Sequence, residues 1–465
     1  MAGSRSQAIK KARAIFDSGE FIERLQTLVA IPTESQRPER LQDLYDYCHK
    51  GFGPMLEEAG FEIQVLENPR EGAGPVVLGT RIEDPSLPTI LIYGHGDVVN
   101  AQPERWRKDL DPFKVKVEGD KIFGRGVVDN KGQHLLALDA LRAVLAERGK
   151  LGFNAKFMVE TGEESGSPGL LEFLQRHKDI CAADAFIALD GPRHTTFKSD
   201  ILLGTRGGVG LDLIVNLREG GHHSGHWGGV LVDPGFVLAH ALSTIVSKDG
   251  RILVPGWTPA NVPAAVTKAC REVVFEDVPG LPEADPSWGE PGLTKAERIY
   301  AWTSVIVLAS ISGQPEDPVN AVSGYAKARI QIRHTVDVPA ETLVPNLRAH
   351  LDNHGLQVVQ IVPVSERDMF PPSRTDPDHP WVRRVIESMT ETAGQRPNVV
   401  PGGSASGPSE FFKATLDVPV MWIPHSYGGC HQHGPDEHGL GSLFRDGLGI
   451  MAGIWWDIGE KGKAE

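Results

Sequence analysis

The sequence predicts an α/β protein with a doubly wound, mostly parallel sheet that is interrupted by an inserted α+β domain. Short apolar strands alternate with helices in both end portions of the chain, as in sheets covered by helices on both faces. The length of 465 residues exceeds that of one ordinary domain. The pattern changes after residue 202 and returns near 366, so we assign residues 1–202 and 366–465 to one discontinuous domain and 203–365 to an insertion.

Apolar periodicity and the positions of glycine and proline predict the elements of the first domain. Helices are predicted at 6–30, 40–60, 133–148 and 381–394. Strands are predicted at 61–66, 76–80, 89–93, 153–161, 185–189 and 418–423. Because the strand at 89–93 is apolar throughout, we expect it to be buried on both faces.

The insertion combines alternating strands with helices. Strands are predicted at 209–217, 325–335 and 356–362. Helices are predicted at 234–247, 295–312 and 339–355. The segment 251–314 is rich in proline, and its pattern is the least informative of the chain.

Composition and charge exclude several classes of partner. Hydrophobic residues at 40% and charged residues at 23% are typical of a soluble globular protein. The formal net charge is −14 and Lys and Arg form no run, which argues against nucleic acid or an anionic membrane as partner. We find neither a membrane-spanning apolar stretch nor the apolar core of a signal peptide, and therefore expect a cytoplasmic protein that acts on a small solute.

The cysteine spacing predicts reduced, mostly buried thiols. Cys48, Cys181, Cys270 and Cys430 lie far apart in the chain, without a short paired spacing. Neither a disulfide framework nor a thiolate zinc knuckle is therefore indicated.

Chemically capable side chains stand where predicted strands end. His95, the pair Glu163 and Glu164, and Asp190 each come after an apolar strand. In doubly wound sheets, ligands bind outside the carboxyl ends of the strands. A core histidine or a capping aspartate would explain any one of these residues alone, but their common position predicts a site at this edge.

The two adjacent glutamates are predicted to have different chemical roles. Gly162 and Gly166 bound their loop and free its backbone, so two carboxylates can point into one cavity in different roles. One could bind a metal ion while the other moves protons. A solvated acidic turn is the alternative explanation.

Five motifs, in order, resemble those of the di-zinc metallopeptidases that include carnosinases and other dipeptidases, glutamate carboxypeptidase, acetylornithine deacetylase and succinyl-diaminopimelate desuccinylase. The resemblance covers nearly the whole chain. Its pattern is His-x-Asp, an Asp in a Gly-Arg-Gly motif, Glu-Glu, an acidic residue after a strand, and His-x-x-Asp/Asn-Glu. The matching residues are His95 with Asp97, Asp129, Glu163 with Glu164, Asp190 and His433. The His-Ser-Gly-His-Trp-Gly-Gly segment at 223–229 is similar to that of the dipeptidase branch.

The resemblance implies a centre for two divalent metal ions, most simply Zn²⁺, although such ligands also accept Mn²⁺ or Co²⁺. One ion would take His95, Asp129 and Asp190. The other would take Asp129, Glu164 and His433. Two zinc ions roughly 3.5 to 4 Å apart need a bridging carboxylate, which would be Asp129.

The same resemblance implies further roles. Asp97 would fix the tautomer of the His95 ring. Glu163 would be the general base that deprotonates the water bridging the two ions. The peptide bond between Asp129 and Asn130 would be cis.

Two assignments require a choice between neighbouring histidines. His433 is preferred to His431 and His438 because only it stands in the sequence His-Gly-Pro-Asp-Glu. His223 is preferred to His222 because Ser-Gly comes directly after it.

By resemblance, the carboxylate end of a substrate would meet Arg333, Asn320, Gly403 and Ser404. An arginine suits this role because its planar fork pairs with a carboxylate through two hydrogen bonds. Ala-Val-Ser stands after Asn320 in place of the family's Val-Ile-Pro, and the usual Ile-Pro is missing after the glycines. These departures predict a pocket of altered shape.

The resemblance implies a hydrolase that cleaves a peptide or amide bond next to a free carboxylate, with the metal-bridging water as nucleophile. An N-acyl-amino-acid deacylase or an aromatic aminohydrolase would use the same site, and a non-catalytic metal-binding scaffold is an alternative of another class. The insertion would be a lid and dimerisation domain. Across the interface of a homodimer, His223 would donate to the oxyanion in the partner's site.

Overall fold

The computed structural model describes residues 3–277, 282–364, 371–404 and 407–464. Its strands are β1 (Glu62–Leu66), β2 (Val76–Arg81), β3 (Thr89–His95), β4 (Lys116–Glu118), β5 (Lys121–Phe123), β6 (Asn154–Glu160), β7 (Ala185–Ala188), β8 (Pro192–Arg193), β9 (Asp200–Leu202), β10 (Gly204–Thr205), β11 (Gly207–Asn216), β12 (His222–His223), β13 (Ser304–Ser312), β14 (Ala321–Val322), β15 (Tyr325–His334), β16 (Gln360–Pro363), β17 (Ser373–Arg374), β18 (Asn398–Val400), β19 (Val420–Trp422), β20 (Ser426–Tyr427) and β21 (His438–Leu440).

The α-helices are α1 (Arg5–Asp17), α2 (Glu20–Val29), α3 (Leu41–Asp46), α4 (Gly53–Glu58), α5 (Lys131–Arg148), α6 (Leu170–Arg176), α7 (Lys178–Cys181), α8 (Ser224–Trp227), α9 (Pro234–Ile245), α10 (Ala264–Arg271), α11 (Lys295–Tyr300), α12 (Ala340–Asn353), α13 (Pro380–Ala393), α14 (Ser409–Leu416) and α15 (Gly441–Lys461). Within the described residues, no helix is both long enough and apolar enough to cross a bilayer.

The largest sheet has the strand order β1-β2-β6-β3-β7-β19-β9-β18. Its central strands β6, β3, β7 and β19 are parallel, and antiparallel pairs occur towards both ends. The predicted α/β fold class is confirmed. Parallel strands bring their carboxyl ends to the same edge, which is where the predicted site residues lie.

Helices cover both faces of this sheet. On strand β3, Ile90 and Ile92 belong to the core shared with α1, α5, α13 and α15, whereas Leu91 and Tyr93 belong to the core shared with α6 and α14. Successive side chains of a strand point to opposite faces, so an uninterrupted apolar strand is what a sheet buried on both faces requires. All four cysteines are buried and unpaired, as predicted.

The insertion contains an antiparallel sheet of order β13-β15-β11-β16 with α9 and α12 packed on it. Strand β15 alternates between buried and half-buried side chains, which places one face of the strand on this second core. The separation of the chain at 202 and 366 remains a prediction, and the predicted return segment lies outside the described residues at 365–370.

Two helix predictions are wrong. The sequence predicts a helix over 295–312, but α11 ends at Tyr300 and the β-branched run after it forms strand β13, paired with β15. It also predicts one helix over 6–30, but Gly19 adopts a φ of 87° and separates α1 from α2. The left-handed conformation at Gly19 is incompatible with a continuous helix.

The segment before β13 packs on the first domain's sheet. Helix α10 contacts β18, and Val266, Cys270 and Tyr300 form a small core with Val400. The backbone N–H of Val274 donates to Asn398 Oδ1 at 3.0 Å. This part of the insertion therefore lies beside the carboxyl edge of the main sheet, where it contributes to the candidate site.

Candidate functional site

The predicted metal ligands meet at the carboxyl edge of the main sheet. His95 is the last residue of β3, and the two glutamates come after the parallel neighbour β6. Asp190 comes after β7, the other parallel neighbour of β3. Asp129 comes from the loop before α5, and His433 from the loop between β20 and β21.

Asp129 lies between two imidazoles. Its Oδ1 is 3.1 Å from His95 Nε2, and its Oδ2 is 2.9 Å from His433 Nε2. A second carboxylate accompanies each ring, with Asp190 Oδ2 at 3.5 Å from His95 Nε2 and Glu164 Oε2 at 3.2 Å from His433 Nε2. The result is two groups of three donors that share Asp129.

The donor set suits divalent cations. His95 Nε2 and Glu164 Oε1 are buried and make no hydrogen bond to any described residue. Ligand atoms of His95, Asp129 and Glu164 all lie within 4.8 Å of one another. A buried imidazole nitrogen and a buried carboxylate oxygen without hydrogen bonds, beside further converging donors, are what Zn²⁺ and related ions accept. These residues therefore fit a metal centre.

The raised pKa values of the two glutamates also favour a bound cation. Burial and the adjacent Asp129 carboxylate raise the pKa of Glu164 to about 8. Burial, together with the charges of Glu164 and Asp190, raises the pKa of Glu163 well above its ordinary value, although His95 opposes this. Carboxylates crowded in this way repel one another, and a cation between them would relieve the repulsion.

Asp97 holds the glutamate loop against His95. Its two carboxylate oxygens accept the backbone N–H groups of Glu163 and Glu164 at 3.2 and 3.1 Å. Its Oδ1 also lies 3.4 Å from His95 Nδ1, and the ring nitrogen is 3.1 Å from the Asp97 carbonyl oxygen. Asp97 thus contacts the His95 imidazole, a link that the resemblance implied, and also holds the backbone of both glutamates, a link that it did not imply.

The Asp129 loop is fixed by residues that sequence reasoning missed. The bond between Asp129 and Asn130 is cis, as predicted. Gln432 donates to Asp129 Oδ2 at 2.7 Å. Glu437, fully buried, accepts the backbone N–H groups of residues 126, 128 and 129 and pairs with Arg125 at 2.7 Å. The sequence feature that could have identified Glu437 is its position at the end of the His-Gly-Pro-Asp-Glu motif that begins at His433.

A cavity of about 1150 Å³ opens on this cluster. The predicted residues that line it are Asp129, Glu163, Asp190, Gly403, Ser404 and His433. Among the described residues, His223, Asn320 and Arg333 are not part of its lining. Two of the predicted substrate residues, Gly403 and Ser404, are thus adjacent to the metal-type donors, and three other predicted residues are not.

His223 and Asn320 lie together on the inserted domain. Strand β12 pairs with β14, so that His223 opposes Ala321, and Ser224 N donates to the Asn320 carbonyl at 2.9 Å. Both His223 and Asn320 are exposed. Their neighbourhood is a surface of the inserted domain rather than a wall of the cavity.

Arg206 connects the cavity to the strand of Arg333. Its guanidinium donates to the backbone oxygen of Ser404 and to Ser304 Oγ, both at 3.2 Å. Burial and the positive charge of Arg333 lower the pKa of Arg206 to about 10. Because Ser304 opposes Arg333 in the sheet, the two arginines belong to one positively charged region.

Comparison with protein families decides the identification. The model of the peptidase family M20/M25/M40 matches residues 91–456. The chain belongs to this family. The resemblance noted from the five motifs is therefore confirmed, and the protein is a hydrolase of the M20 peptidase type.

Individual relatives extend over nearly the full chain. It is 31% identical to the Cys-Gly metallodipeptidase of Schizosaccharomyces pombe, over 90% of this chain and 91% of that protein. It is 25% identical to the Beta-Ala-His dipeptidase of Mus musculus, over 90% and 88%. The crystal structure of an M20 metallo-carboxypeptidase from Sulfolobus solfataricus has the same fold, with a TM-score of 0.77, 21% identity, and coverage of 94% and 99%.

The buried pair of Glu437 and Arg125 supports a stability prediction for this M20 peptidase. Glu437→Gln should lower the free energy of unfolding by about 3 kcal/mol, because it leaves Arg125 buried without its counter-charge. Denaturant unfolding measures the change. The matched control, Glu118→Gln, breaks an exposed ion pair with Arg107 and should leave the unfolding midpoint nearly unchanged. Equal midpoints for both variants would contradict the prediction.

Proposed function

We propose that the protein is a metal-dependent dipeptidase or carboxypeptidase-like enzyme that cleaves an amide bond next to a free carboxylate. The observation that carries the proposal is Asp129, placed between two imidazole and carboxylate groups in a cavity that also contains Glu163. The names of the relatives, two dipeptidases and a carboxypeptidase, support this substrate class.

His95, Asp129 and Asp190 would hold one ion, and Asp129, Glu164 and His433 the other. When bound, the two ions supply Lewis-acid activation of the attacking water and of the scissile carbonyl. We propose Zn²⁺, with Mn²⁺ or Co²⁺ as further candidates, since these ligand types accept all three. Asp97 keeps His95 and the glutamate loop in place.

Glu163 is proposed as the general base. It lines the cavity but is not among the residues in contact with His433, whereas Glu164 is. Its carboxylate takes a proton from the attacking water and later donates it to the departing amine. Two adjacent glutamates thus take separate roles, in line with the expectation from the sequence.

The free carboxylate of the substrate would be held by Gly403 and Ser404 in the cavity and by Arg333 and Asn320 from the inserted domain. Arg206 supports this assignment because it links the backbone of Ser404 to the strand region of Arg333. Because Arg333 and Asn320 do not line the cavity of this chain, their contribution would require closure of the inserted domain or a second subunit.

A substrate panel tests the proposed reaction. Dipeptides and N-acyl amino acids are assayed for release of free amine by the metal-loaded protein. Faster cleavage of dipeptides supports the proposal, whereas cleavage of N-acyl amino acids alone favours a deacylase or an aromatic aminohydrolase. Failure to cleave any amide substrate would favour a non-catalytic metal-binding scaffold. The position of Glu163 in the cavity argues against that alternative.

We further propose a cytoplasmic homodimer formed through the inserted domain. Strand β13 is an edge strand whose Ile306, Val307, Leu308 and Ile311 are all about half exposed. An exposed apolar edge strand is a liability unless another chain covers it. A two-fold axis beside β13 would make this contact self-complementary.

In that dimer, His223 would complete the partner's site. Mixing inactive His223→Ala with inactive Glu163→Ala under conditions of subunit exchange should restore about a quarter of native activity, since half the dimers are mixed and each has one intact site. The exposure of His223 and its absence from the cavity of its own chain motivate the test. A matched control mixes His223→Ala with itself. Proven exchange without recovery would place His223 outside the partner's site.

A further inference from the structure

One wall of the cavity is aromatic and is not used by the proposed chemistry. It is formed by His194, Phe275 and Tyr300, which we call the aromatic wall. The His194 ring meets the other two edge-on, with centroids 5.3 Å from Phe275 and 5.4 Å from Tyr300. The Phe275 and Tyr300 rings are parallel to within 8° at 6.3 Å. Edge-on and stacked rings at these separations attract one another, so the wall is internally packed.

The polar side-chain atoms of the aromatic wall make hydrogen bonds within the protein. The Tyr300 hydroxyl is bonded to His194 Nε2, and His194 Nδ1 is bonded to Asp200. Asp200 is itself fixed, because it accepts the backbone N–H of His194 at 2.7 Å and the side-chain amide of Asn398 at 2.9 Å. These bonds hold the rings and use their polar groups. Because Tyr300 is only 4% exposed, the ring surface that the wall offers to the cavity comes mainly from the half-buried Phe275 and His194.

The surroundings of the aromatic wall combine apolar side chains with charged ones, among them Glu276 and Lys295. Leu202, Ile299 and Trp422 line the same cavity. The Lys295 ammonium lies 4.4 Å from the centroid of Phe275 and fixes that ring from one side. The cavity of about 1150 Å³ is slightly larger than most small-molecule sites, so it has room for a large side chain beside the reacting amide.

We propose that the aromatic wall is a specificity pocket for an aromatic side chain of the substrate. The inference rests on the proposed hydrolase function and names the substrate class of that site: dipeptides that contain an aromatic residue. Burial of a phenyl ring against fixed rings gives discrimination over a methyl group of about tenfold to a hundredfold in kcat/KM.

The test compares phenylalanyl-alanine, alanyl-phenylalanine and alanyl-alanine as substrates. At least one of the two aromatic dipeptides should exceed alanyl-alanine by about tenfold or more in kcat/KM. Phe275→Ala should reduce this ratio about tenfold, because it lowers kcat/KM for the aromatic dipeptide more than for alanyl-alanine, whereas a general structural defect would lower both rates and leave the ratio unchanged. Equal rates in the native enzyme, or an unchanged ratio in Phe275→Ala, would overturn the proposal.

Two further variants sharpen the result. Tyr300→Phe keeps the ring stacked on Phe275 and loses the hydroxyl bond to His194, which Asp200 still holds, so it should retain the aromatic preference. Loss of the preference in this variant would overturn a pocket made of ring surface. Phe197→Ala is the matched control, because Phe197 lies in the same loop as His194, is 58% exposed and does not line the described part of the cavity. In Phe197→Ala, the ratio of kcat/KM for the aromatic dipeptide to that for alanyl-alanine should equal the ratio of the native enzyme.

Binding to the chelator-treated protein separates this inference from the proposed function. Calorimetry should give the same order of affinities for the three dipeptides, with the preference reduced in Phe275→Ala. A binding preference without hydrolysis by the metal-loaded protein would support the pocket and reject the hydrolase. Hydrolysis without any aromatic preference would reject the pocket and leave the hydrolase.

Discussion

Replacement of Glu163 by glutamine should lower kcat at least about a hundredfold and leave the content of bound metal unchanged. The amide occupies the same space as the carboxylate but cannot accept a proton from water. Glu163 faces the cavity, and its backbone N–H rather than its carboxylate contacts Asp97, so the loop should keep its position in the variant. Steady-state kinetics and metal analysis of the same preparation provide the two measurements.

The adjacent Glu164 supplies the matched comparison. Its carboxylate is 3.2 Å from His433 Nε2, in one of the two donor groups. Glu164→Gln should therefore weaken the binding of one metal ion, and excess metal should restore part of its activity. Added metal should not restore the activity of Glu163→Gln. If Glu163→Gln lost metal and Glu164→Gln retained it, the roles assigned to the pair would be reversed.

The main sheet and the carboxyl edge at which the site residues gather were predictable because they depend on local signals. The apolar strand that ends at His95 indicates its own burial, and parallel strands place the residues after their carboxyl ends at a common edge. Strand β13 was missed for the opposite reason. Its apolar run suits either a helix or a strand, and its pairing with β15 decides between them.

Apart from Asp97, the residues that support the site were not predicted, because they make contacts between distant segments. Glu437 holds the backbone near Asp129 from more than 300 residues away. The aromatic wall joins His194 and Tyr300, which are 106 residues apart and separated by a segment of uninformative pattern. A single sequence shows which residues can do chemistry, whereas the distant residues that hold them are identified by the geometry of the folded chain.

Metal removal should abolish activity, and restoration should reach its plateau at about two equivalents of divalent ion per chain. The two donor groups are built around one residue, Asp129, so neither ion can be held at full affinity without it. Binding should also raise the melting temperature of the metal-free protein, since a ligand that prefers the folded state stabilises it. This second measurement is independent of turnover. Full activity in protein shown to be metal-free would end the metal hypothesis.

The number of metal ions that each donor variant retains tests the assignment of the donors to two ions. Asp190 Oδ2 lies 3.5 Å from His95 Nε2 and Glu164 Oε2 lies 3.2 Å from His433 Nε2, whereas Asp129 contacts both imidazoles. In the same buffer, Asp190→Ala and Glu164→Gln should each retain about one metal ion, and Asp129→Ala should retain almost none. A conventional single site would give one ion in the native protein and none in any of the three variants. The pattern of partial and complete loss therefore distinguishes a shared bridging carboxylate from an isolated metal site, whichever ion is used.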